Sequence, residues 1–448
     1  MSLYAALQER EARGEPVRAG LIGAGKFGTM FLASARTSPG LQVLGIADLS
    51  PDRARDALAR AAFEPDRGHA PSAAAAAESG DTWITDDVAA LVSAPEVDVV
   101  LEATGNPYAG VSHALLAGEH GKHLVMVTVE ADALCGPELC RRVEAGGGIY
   151  SFAYGDQPAL ICELVDWARA TGLEVVCAGK GTKHLPEYHH STPETVWGHY
   201  GFTDEEAQHL NPQMFNSFLD GTKSAIEMAA VANATGLRPP PDGLEFPPAG
   251  VSRLATVLRP REEGGILPHS GTVEVVSSLE RDGSQVPEDL RWGVYVVVRA
   301  PSDYVATCWG EYGVTTDPSG RYSALHRPYH YIGLELGLSA ASVVLRGEPT
   351  GKPMGFHGDV VATSKRALEP GEQLDGEGGY AVYGRLATAA DSLERRLLPV
   401  GLAHGVEVIR AVAADTPLSR DDVRLDPEKE AVQVRDALEA AERVGASA

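Results

Sequence analysis

The chain has 448 residues, of which 44% are hydrophobic and 22% charged, a composition typical of a globular protein with two or three domains. A net charge of -24 without a clustered basic segment argues against a nucleic-acid-binding protein. Five cysteines without a Cys-x-x-Cys pair indicate free thiols, and no stretch has the pattern of a signal peptide or a membrane-spanning segment. We therefore expect a cytoplasmic protein with neither nucleic acid nor membrane as a partner.

The first element with a chemical meaning is an apolar strand, Val17 to Ile22, that runs into a glycine-rich loop and a predicted helix. The loop residues are Gly23, Ala24, Gly25, Lys26, Phe27 and Gly28. A second strand, Leu41 to Ile46, then closes on Asp48, an acid about 20 residues after the loop. In this arrangement the glycines permit a tight turn and close approach of a pyrophosphate to the amino end of the helix. The pattern predicts an NAD(P)-binding Rossmann domain, and a glycine turn without a ligand is the alternative.

The choice between NAD and NADP rests on the residues that follow the second strand. A carboxylate at Asp48 can accept hydrogen bonds from the adenosine ribose, which favours NAD. Arg53 and Arg55 follow closely enough to bind the 2′-phosphate of NADP. Both cofactors therefore stay open.

Two later strands complete the predicted cofactor edge of this sheet. The first, Val97 to Gly105, ends in Thr104 and Gly105, which Asn106 follows. The second, His123 to Val129, is followed by Glu130. Glu130 is either a group beside the nicotinamide or an acid at the start of the next helix, and we favour the first because strand carboxyl ends face the ligand in this fold.

A second polar passage follows the predicted strand Glu174 to Ala178. Lys180 and Lys183 are flanked by glycines there, which predicts either an anion site or a loop of solvated lysines. His189 belongs to a group of five histidines with His184, His190, His199 and His209. Their spacing does not suit a metal site, so we expect them to be hydrogen-bonding residues of a pocket or of the surface.

A predicted helix from Phe215 to Gly236 carries Asn216, Asp220, Lys223 and Glu227 at spacings of four, three and four. Such spacings place side chains on one stripe of a helix, and the rest of this helix is mostly apolar. The stripe is either part of a catalytic pocket or a solvated face of ordinary ion pairs.

Three strand-like runs, Gly271 to Val276, Val294 to Arg299 and Tyr304 to Trp309, predict the sheet of an α+β domain. Arg327 then precedes a predicted helix, Tyr329 to Leu345, that is apolar nearly all round. Its only charge before the end is Glu335. A buried carboxylate requires a partner, and Lys223 or another cation of the site is suggested.

The end of the chain resembles the SAF domain, a small β-rich module, at Lys365 to Leu374 and Arg410 to Val423. Together with this end, four motifs resemble oxidoreductases similar to homoserine dehydrogenase, and in particular the deoxyxylulose-phosphate reductoisomerase-like (DRL) group. They are the loop Gly23 to Gly28, Gly179-Lys-Gly-Thr-Lys183, Phe218-Leu-Asp-Gly-Thr-Lys223 and Arg327-Pro-Tyr-His330. The resemblance implies a Rossmann domain over residues 1–155, a catalytic and dimerising α+β domain over 156–350, and an SAF-like domain over 351–448.

These observations lead to one functional hypothesis. A nicotinamide exchanges hydride with the CH–OH or C=O carbon of a small anionic metabolite, while Lys223, next to Asp220 and Glu227, moves the proton on oxygen. Lys180 and Lys183 hold the anionic group, Lys183 as a residue of the catalytic site, and His189, Arg327 and Glu335 complete the predicted substrate-binding set.

The hypothesis has three versions. Some members of the DRL group convert 1-deoxyxylulose 5-phosphate, which implies a skeletal rearrangement assisted by Mg²⁺ or Mn²⁺, although no metal ligands can be identified in the sequence. The alternatives are a simple dehydrogenase of a hydroxy acid, polyol or homoserine-like amino alcohol, and a non-catalytic NAD(P)-bound sensor or scaffold. A homodimer or higher homo-oligomer is expected.

Overall fold

The computed structural model describes residues 2–445, which form two compact units. The first unit comprises Met1–Leu160 and Tyr331–Pro353, and the second comprises Ile161–His330 and Met354–Ala448. Residues 331–350, expected at the end of the central domain, belong to the first unit, and from Met354 onward the segment expected as the SAF-like domain belongs to the second. The three expected domains themselves stay a prediction.

The strands, in chain order, are β1 (Val17–Ile22), β2 (Leu41–Ala47), β3 (Trp83–Thr85), β4 (Val99–Glu102), β5 (His123–Met126), β6 (Tyr150–Phe152), β7 (Glu174–Thr182), β8 (Thr272–Ser277), β9 (Val294–Arg299), β10 (Tyr322–Arg327), β11 (Gly358–Ser364), β12 (Gln373–Asp375), β13 (Val382–Thr388), β14 (His404–Val408) and β15 (Val423–Arg424). The helices are α1 (Leu3–Ala12), α2 (Lys26–Ala35), α3 (Pro51–Arg60), α4 (Ala73–Ser79), α5 (Val88–Ser93), α6 (Pro107–Glu119), α7 (Val129–Ala145), α8 (Gln157–Ala170), α9 (Val196–Tyr200), α10 (Asp204–Ala207), α11 (Pro212–Leu219), α12 (Thr222–Thr235), α13 (Leu254–Val257), α14 (Asp303–Glu311), α15 (Leu336–Arg346), α16 (Ala389–Arg395) and α17 (Glu430–Gly445).

The first unit is built on a six-stranded sheet of order β3-β2-β1-β4-β5-β6, in which every neighbouring pair is parallel. Its central strands are buried on both faces because helices cover both. Helix α15 contributes to this core, where Leu336, Ala340 and Val343 join Leu21 and Leu101. Between β1 and β4 the strand order reverses, which opens a crevice at the carboxyl ends of the strands. The predicted Rossmann α/β sheet is confirmed.

The second unit contains a four-stranded mixed sheet of order β10-β9-β7-β8. Strands β7 and β8 are parallel, whereas β9 is antiparallel to both of its neighbours, β7 and β10. Two small antiparallel sheets, β11-β13 and β12-β14-β15, follow near the end of the chain. The expected α+β character and the β-rich end are therefore both present.

One predicted strand of the second unit is wrong. Tyr304 to Trp309 lies in helix α14, and the third strand is β10. Ser302 caps α14 by accepting a hydrogen bond from the Val305 N–H at 3.3 Å, and Asp303 places an acid in the first turn. Tyr304 is 78% exposed, so the alternation of apolar residues in this segment does not mark a buried strand face.

Two general expectations can be compared with the structure. All five cysteines are free thiols, as the sequence predicts. Among residues 2–445, none of the helices combines the length and the apolar character that crossing a membrane requires.

Candidate active site

The glycine loop between β1 and α2 has the geometry that a dinucleotide requires. A Cβ atom on Gly23, whose φ is +96°, would lie 2.8 Å from the Ala103 carbonyl oxygen, so only glycine permits the turn beside β4. A Cβ on Gly28 would lie 2.5 Å from the Gly23 carbonyl oxygen, which makes this glycine necessary for packing α2 on the loop. Gly25 has open space instead, and it precedes the free N–H groups at the start of α2. The open position and the helix amino end fit a pyrophosphate.

Asp48 ends the second strand of the Rossmann sheet and is almost fully buried. Its carboxylate accepts the N–H groups of Ala24 at 2.8 Å and Ser50 at 2.9 Å, and the Arg53 guanidinium lies against it at 2.6 Å. Burial alone would raise the pKa of Asp48, but hydrogen bonds from Arg53 and the two N–H groups hold it below the usual value. Asp48 therefore joins the glycine loop to Arg53, which presents a half-exposed cation next to it. Arg55 pairs with Asp52 instead.

The loop after β4 is fixed by a buried carboxylate that the sequence analysis did not single out. Glu102 Oε1 accepts a hydrogen bond from the Thr104 hydroxyl at 2.6 Å and lies 3.2 Å from His113 Nδ1. Gly105 N–H donates to the Thr128 hydroxyl at 2.9 Å, and Asn106 caps α6. These contacts hold the predicted cofactor-edge residues in one loop. An acid as the last residue of a buried strand was the available signal for Glu102.

Helix α7 begins where a longer strand was predicted. Strand β5 ends at Met126, and Glu130 lies buried in the first turn of α7. Glu130 is therefore an acid at a helix amino end, the second of the two interpretations, and its role towards nicotinamide stays a prediction.

In the same turn, Asp132 is 1% exposed and accepts the Tyr150 hydroxyl at 2.9 Å. Burial raises the pKa of Asp132 to about 7. Its second oxygen has no hydrogen-bond partner in the described part of the chain. The carboxyl lines a small cavity with Met126, Phe152 and Asp156, at the carboxyl ends of β5 and β6.

In the second unit, the polar stripe predicted on one helix is divided between two. Helix α11 ends at Leu219, Asp220 is its C-cap, and α12 starts at Thr222 after Gly221, whose φ is +91°. The left-handed glycine changes the chain direction, so Asn216 and Asp220 do not continue the face of Lys223 and Glu227. Lys223 and Glu227 do share a face of α12, because they are four residues apart on one helix.

The carboxylate of Asp220 is bound by a lysine that the sequence analysis placed only in the SAF-like segment. Lys365 Nζ lies 2.8 Å from Asp220 Oδ2 and also donates to the carbonyls of Ser191 and Gly379. The His189 ring nitrogen Nδ1 lies 2.7 Å from the Asp220 carbonyl oxygen. Both Asp220 and Lys365 are buried. Asp220 thus joins several segments of the second unit, and its expected contact with Lys223 stays a prediction.

Strand β7 is longer than predicted, and it includes Lys180. The Lys180 ammonium is buried and pairs with the Glu227 carboxylate on α12. Lys180 thus binds an anion that belongs to the protein, and its role towards a substrate stays a prediction. Lys183 is half-buried beyond the strand end and donates to the His199 carbonyl.

The histidines of this region form an aromatic cluster. His189 stacks on Tyr383 with ring centroids 4.6 Å apart, and His184 stacks on Phe246 at 3.9 Å. Burial lowers the pKa of His184 to about 3, so its ring is neutral at physiological pH. In residues 2–445, no three histidine, cysteine or acidic side chains come together in a way that could bind a metal ion.

The last two predicted substrate residues lie in different units. Arg327 is the final residue of β10 and pairs with Val294 in the second unit. Glu335 belongs to the first unit and precedes α15, which starts later than predicted. Its carboxylate accepts the Tyr331 N–H at 3.2 Å. Its suggested pairing with Lys223 stays a prediction.

Comparison with known proteins supports the cofactor geometry. Residues 17–127 match the family described as "Oxidoreductase family, NAD-binding Rossmann fold", and residues 155–336 match "Oxidoreductase DRL, catalytic domain". The first match covers the glycine loop, Asp48 and the loop after β4. The second covers the lysine motifs and α12. No curated protein matches the chain significantly.

Solved structures show weaker likenesses. Myo-inositol dehydrogenase from Lactobacillus casei, in complex with NAD(H) and myo-inositol, is 16% identical over 40% of this chain and 50% of its own, with a TM-score of 0.29. The chain thus spans half the length of that relative. A probable dehydrogenase from Thermotoga maritima is 15% identical over 75% of this chain and 90% of its own, with a TM-score of 0.36. Residues 17–127 and 155–336 are thus each similar to an oxidoreductase domain, and the first of these domains is NAD-binding.

Proposed function

We propose that the protein transfers a hydride between NAD(P) and the CH–OH or C=O carbon of a small anionic oxygenated metabolite. The observation that carries the proposal is the arrangement on α12. Half-buried Lys223 shares a helix face with Glu227, and Glu227 is neutralised by Lys180 of β7. A lysine next to a charge-balanced pair is a suitable proton donor and acceptor for a substrate oxygen.

The residues of the first unit suit the proposed cofactor. Gly23, Gly25 and Gly28 shape a loop that a pyrophosphate can approach, and the amino end of α2 offers N–H groups to it. Asp48 and Arg53 stand where the adenosine ribose is expected, one offering an acceptor and the other a cation. When bound, the nicotinamide supplies the hydride acceptor or donor.

The residues of the second unit take separate parts in the proposed reaction. Lys223 moves the proton at the substrate oxygen. Lys180 is a positioning residue that acts through Glu227, because their buried ion pair fixes the α12 face relative to β7. Asp220 is a second positioning residue, since its contacts with Lys365 and His189 fix the turn that precedes α12.

A finer version of the proposal adds the substrate and the assembly. The similarity of residues 155–336 to a DRL catalytic domain supports a reaction like that of DRL oxidoreductases. A reaction like that of homoserine dehydrogenases and an SAF-like module at residues 351–448 are proposed from the sequence motifs alone. We also propose a homodimer or higher homo-oligomer. Light scattering after size-exclusion chromatography tests the assembly, and a monomeric mass would contradict it.

The substrate is tested by following nicotinamide absorbance with NAD(H) and NADP(H). The compounds are 1-deoxyxylulose 5-phosphate, hydroxy acids, polyols and homoserine, each with and without Mg²⁺ or Mn²⁺. Metal-dependent oxidation of NADPH with a rearranged product supports a reductoisomerase, whereas turnover without skeletal change supports a simple dehydrogenase. If no compound of these classes is turned over, the proposed substrate class is wrong.

The role of Lys223 is tested with Lys223→Ala once a substrate is known. We expect kcat to fall by about 10²- to 10⁴-fold, the usual contribution of a general acid or base, while cofactor affinity stays unchanged. The control is Lys352→Ala, which removes a lysine that pairs with Glu144 in the first unit. Full turnover by Lys223→Ala would contradict the assignment. Retention of biological activity by the same variant would favour a sensor or scaffold.

A further inference from the structure

Two cations that the proposed reaction leaves unassigned lie close together in the second unit. Lys183 follows β7, and Arg291 lies in the turn before β9. Both face the ring of Tyr200, with the Lys183 ammonium 5.5 Å and the Arg291 guanidinium 5.8 Å from the ring centroid. Arg291 also lies over the ring of Trp292 at 4.7 Å. An aromatic ring thus separates and orients the two positive groups.

The backbone holds this pair of cations in place. A Cβ atom on Gly181 would lie 2.1 Å from the Leu290 carbonyl oxygen and 3.0 Å from the Arg291 nitrogen, so glycine is required for the turn to pack on β7. Gly181 N–H donates to the Gly293 carbonyl at 3.1 Å. On the other side of the turn, the Asp289 carboxylate accepts the Arg291 N–H at 2.9 Å. The glycine between the two lysines of the motif thus brings Arg291 to Lys183.

The charges of the pair are not balanced by the protein. Within residues 2–445, neither Lys183 nor Arg291 forms an ion pair with a carboxylate, and the hydrogen-bond partner of the Lys183 ammonium is the His199 carbonyl. Lysine carries three N–H donors and arginine five, so most of their donors are available. Burial, followed by the Arg291 charge, lowers the pKa of Lys183. Two like charges held together this way bind an anion favourably, because the anion relieves their repulsion.

Two other buried lysines of the second unit already form ion pairs with carboxylates of the protein. Lys180 pairs with Glu227, and Lys365 pairs with Asp220. The Tyr200 ring lies edge-on to the ring of Phe215 on α11, with centroids 5.7 Å apart, so the cation pair lies near the helix that leads into the turn before α12. The position of Lys183 and Arg291 therefore suits recognition of a charged group on a substrate handled there.

We propose that Lys183 and Arg291 form the subsite that binds the oxyanion of the substrate, a phosphate or a carboxylate group. The planar guanidinium offers two parallel N–H donors to such a group, and the ammonium adds a point charge. The assignment rests on the proposed function for the link to catalysis, although anion binding itself can be measured without turnover.

The test uses the full-length protein saturated with NADP⁺, so that the pyrophosphate site is filled. Inorganic phosphate and acetate are titrated separately at constant ionic strength by calorimetry. We expect saturable binding of at least one of them, weakened tenfold or more by Arg291→Gln and by Lys183→Gln. Arg291→Lys keeps the charge and is expected to lose less affinity than Arg291→Gln. The control is Arg253→Gln, which removes an exposed arginine of the second unit and is expected to bind like the original protein.

The outcomes separate this subsite from the proposed reaction. Phosphate and acetate affinities that are equal in the original protein, Arg291→Gln and Lys183→Gln would overturn the subsite, provided that the variants keep their NADP⁺ affinity and unfolding temperature. Lack of saturable binding of either anion by the original protein would overturn it as well. If these variants lose anion binding but the original protein turns over no oxygenated metabolite, the subsite stands and the proposed reaction fails. If the protein turns over only neutral compounds, and Arg291→Gln turns them over equally well, the oxidoreductase function stands and the subsite is refuted.

Discussion

The stability of Asp132→Asn, measured relative to the original protein, should increase from acid to neutral pH. The Asp132 carboxyl is buried, and its second oxygen lacks a partner in the described chain. Burial raises its pKa from 3.8 to about 7, an effect that the hydrogen bond from Tyr150 only partly offsets. A rise of this size corresponds to about 4 kcal/mol of unfolding free energy.

The sign follows from proton binding by the two states. Below pH 4 both the folded and the unfolded chain hold the proton, so ionisation contributes nothing. Between about pH 4 and 7 the unfolded chain loses the proton first, and stability falls as the pH rises. Above pH 7 the folded chain carries the full cost of a buried carboxylate. Asparagine keeps the shape and the acceptor for Tyr150 but cannot ionise.

The assay is urea unfolding of both proteins at pH 5, 6, 7 and 8. At acid pH we expect Asp132→Asn to be less stable than the original protein, because its buried amide costs about 1–3 kcal/mol without a partner. The diagnostic quantity is therefore the change with pH in the stability difference, which should favour Asp132→Asn by about 1 kcal/mol or more for each pH unit up to pH 7. The control is Asp66→Asn at an exposed position of the first unit. A stability difference that does not vary with pH would refute the reasoning.

Two further changes test the cofactor site and the turn before α12. Arg53→Gln removes the half-exposed cation beside Asp48 and should weaken NADP⁺ binding about tenfold relative to NAD⁺ binding. Fluorescence titration measures both affinities. Equal losses of affinity for the two cofactors would contradict a role for Arg53 at the 2′-phosphate. Lys365→Met leaves the buried Asp220 carboxylate unpaired and should cost about 3–5 kcal/mol of unfolding free energy. The double variant Lys365→Met/Asp220→Leu should recover part of that loss in urea unfolding, and a double variant less stable than Lys365→Met would argue against an ion-pair effect.

The sequence by itself determined the glycine loop and the parallel sheet of the first unit. Gly23, Gly25 and Gly28 between a strand and a helix, with Asp48 at the end of the next strand, are local signals, because the turn, the close backbone approach and the helix start depend on neighbouring residues. The alternation of apolar strands and helices likewise determined the parallel sheet. The predicted strand that was wrong, Tyr304 to Trp309, has conflicting local signals, because its β-branched and aromatic residues favour a strand although the segment forms α14.

Only the tertiary structure decided which charges meet. The carboxylate of Glu227 binds Lys180 from β7, and Asp220 binds Lys365 from a segment 145 residues away. Such partners are set by the packing of distant elements, because a buried charge takes whichever counter-charge the fold brings to it. Arg291 shows the same principle. Its sequence neighbourhood has no motif, and it reaches Lys183 because Gly181 leaves room for its turn beside β7.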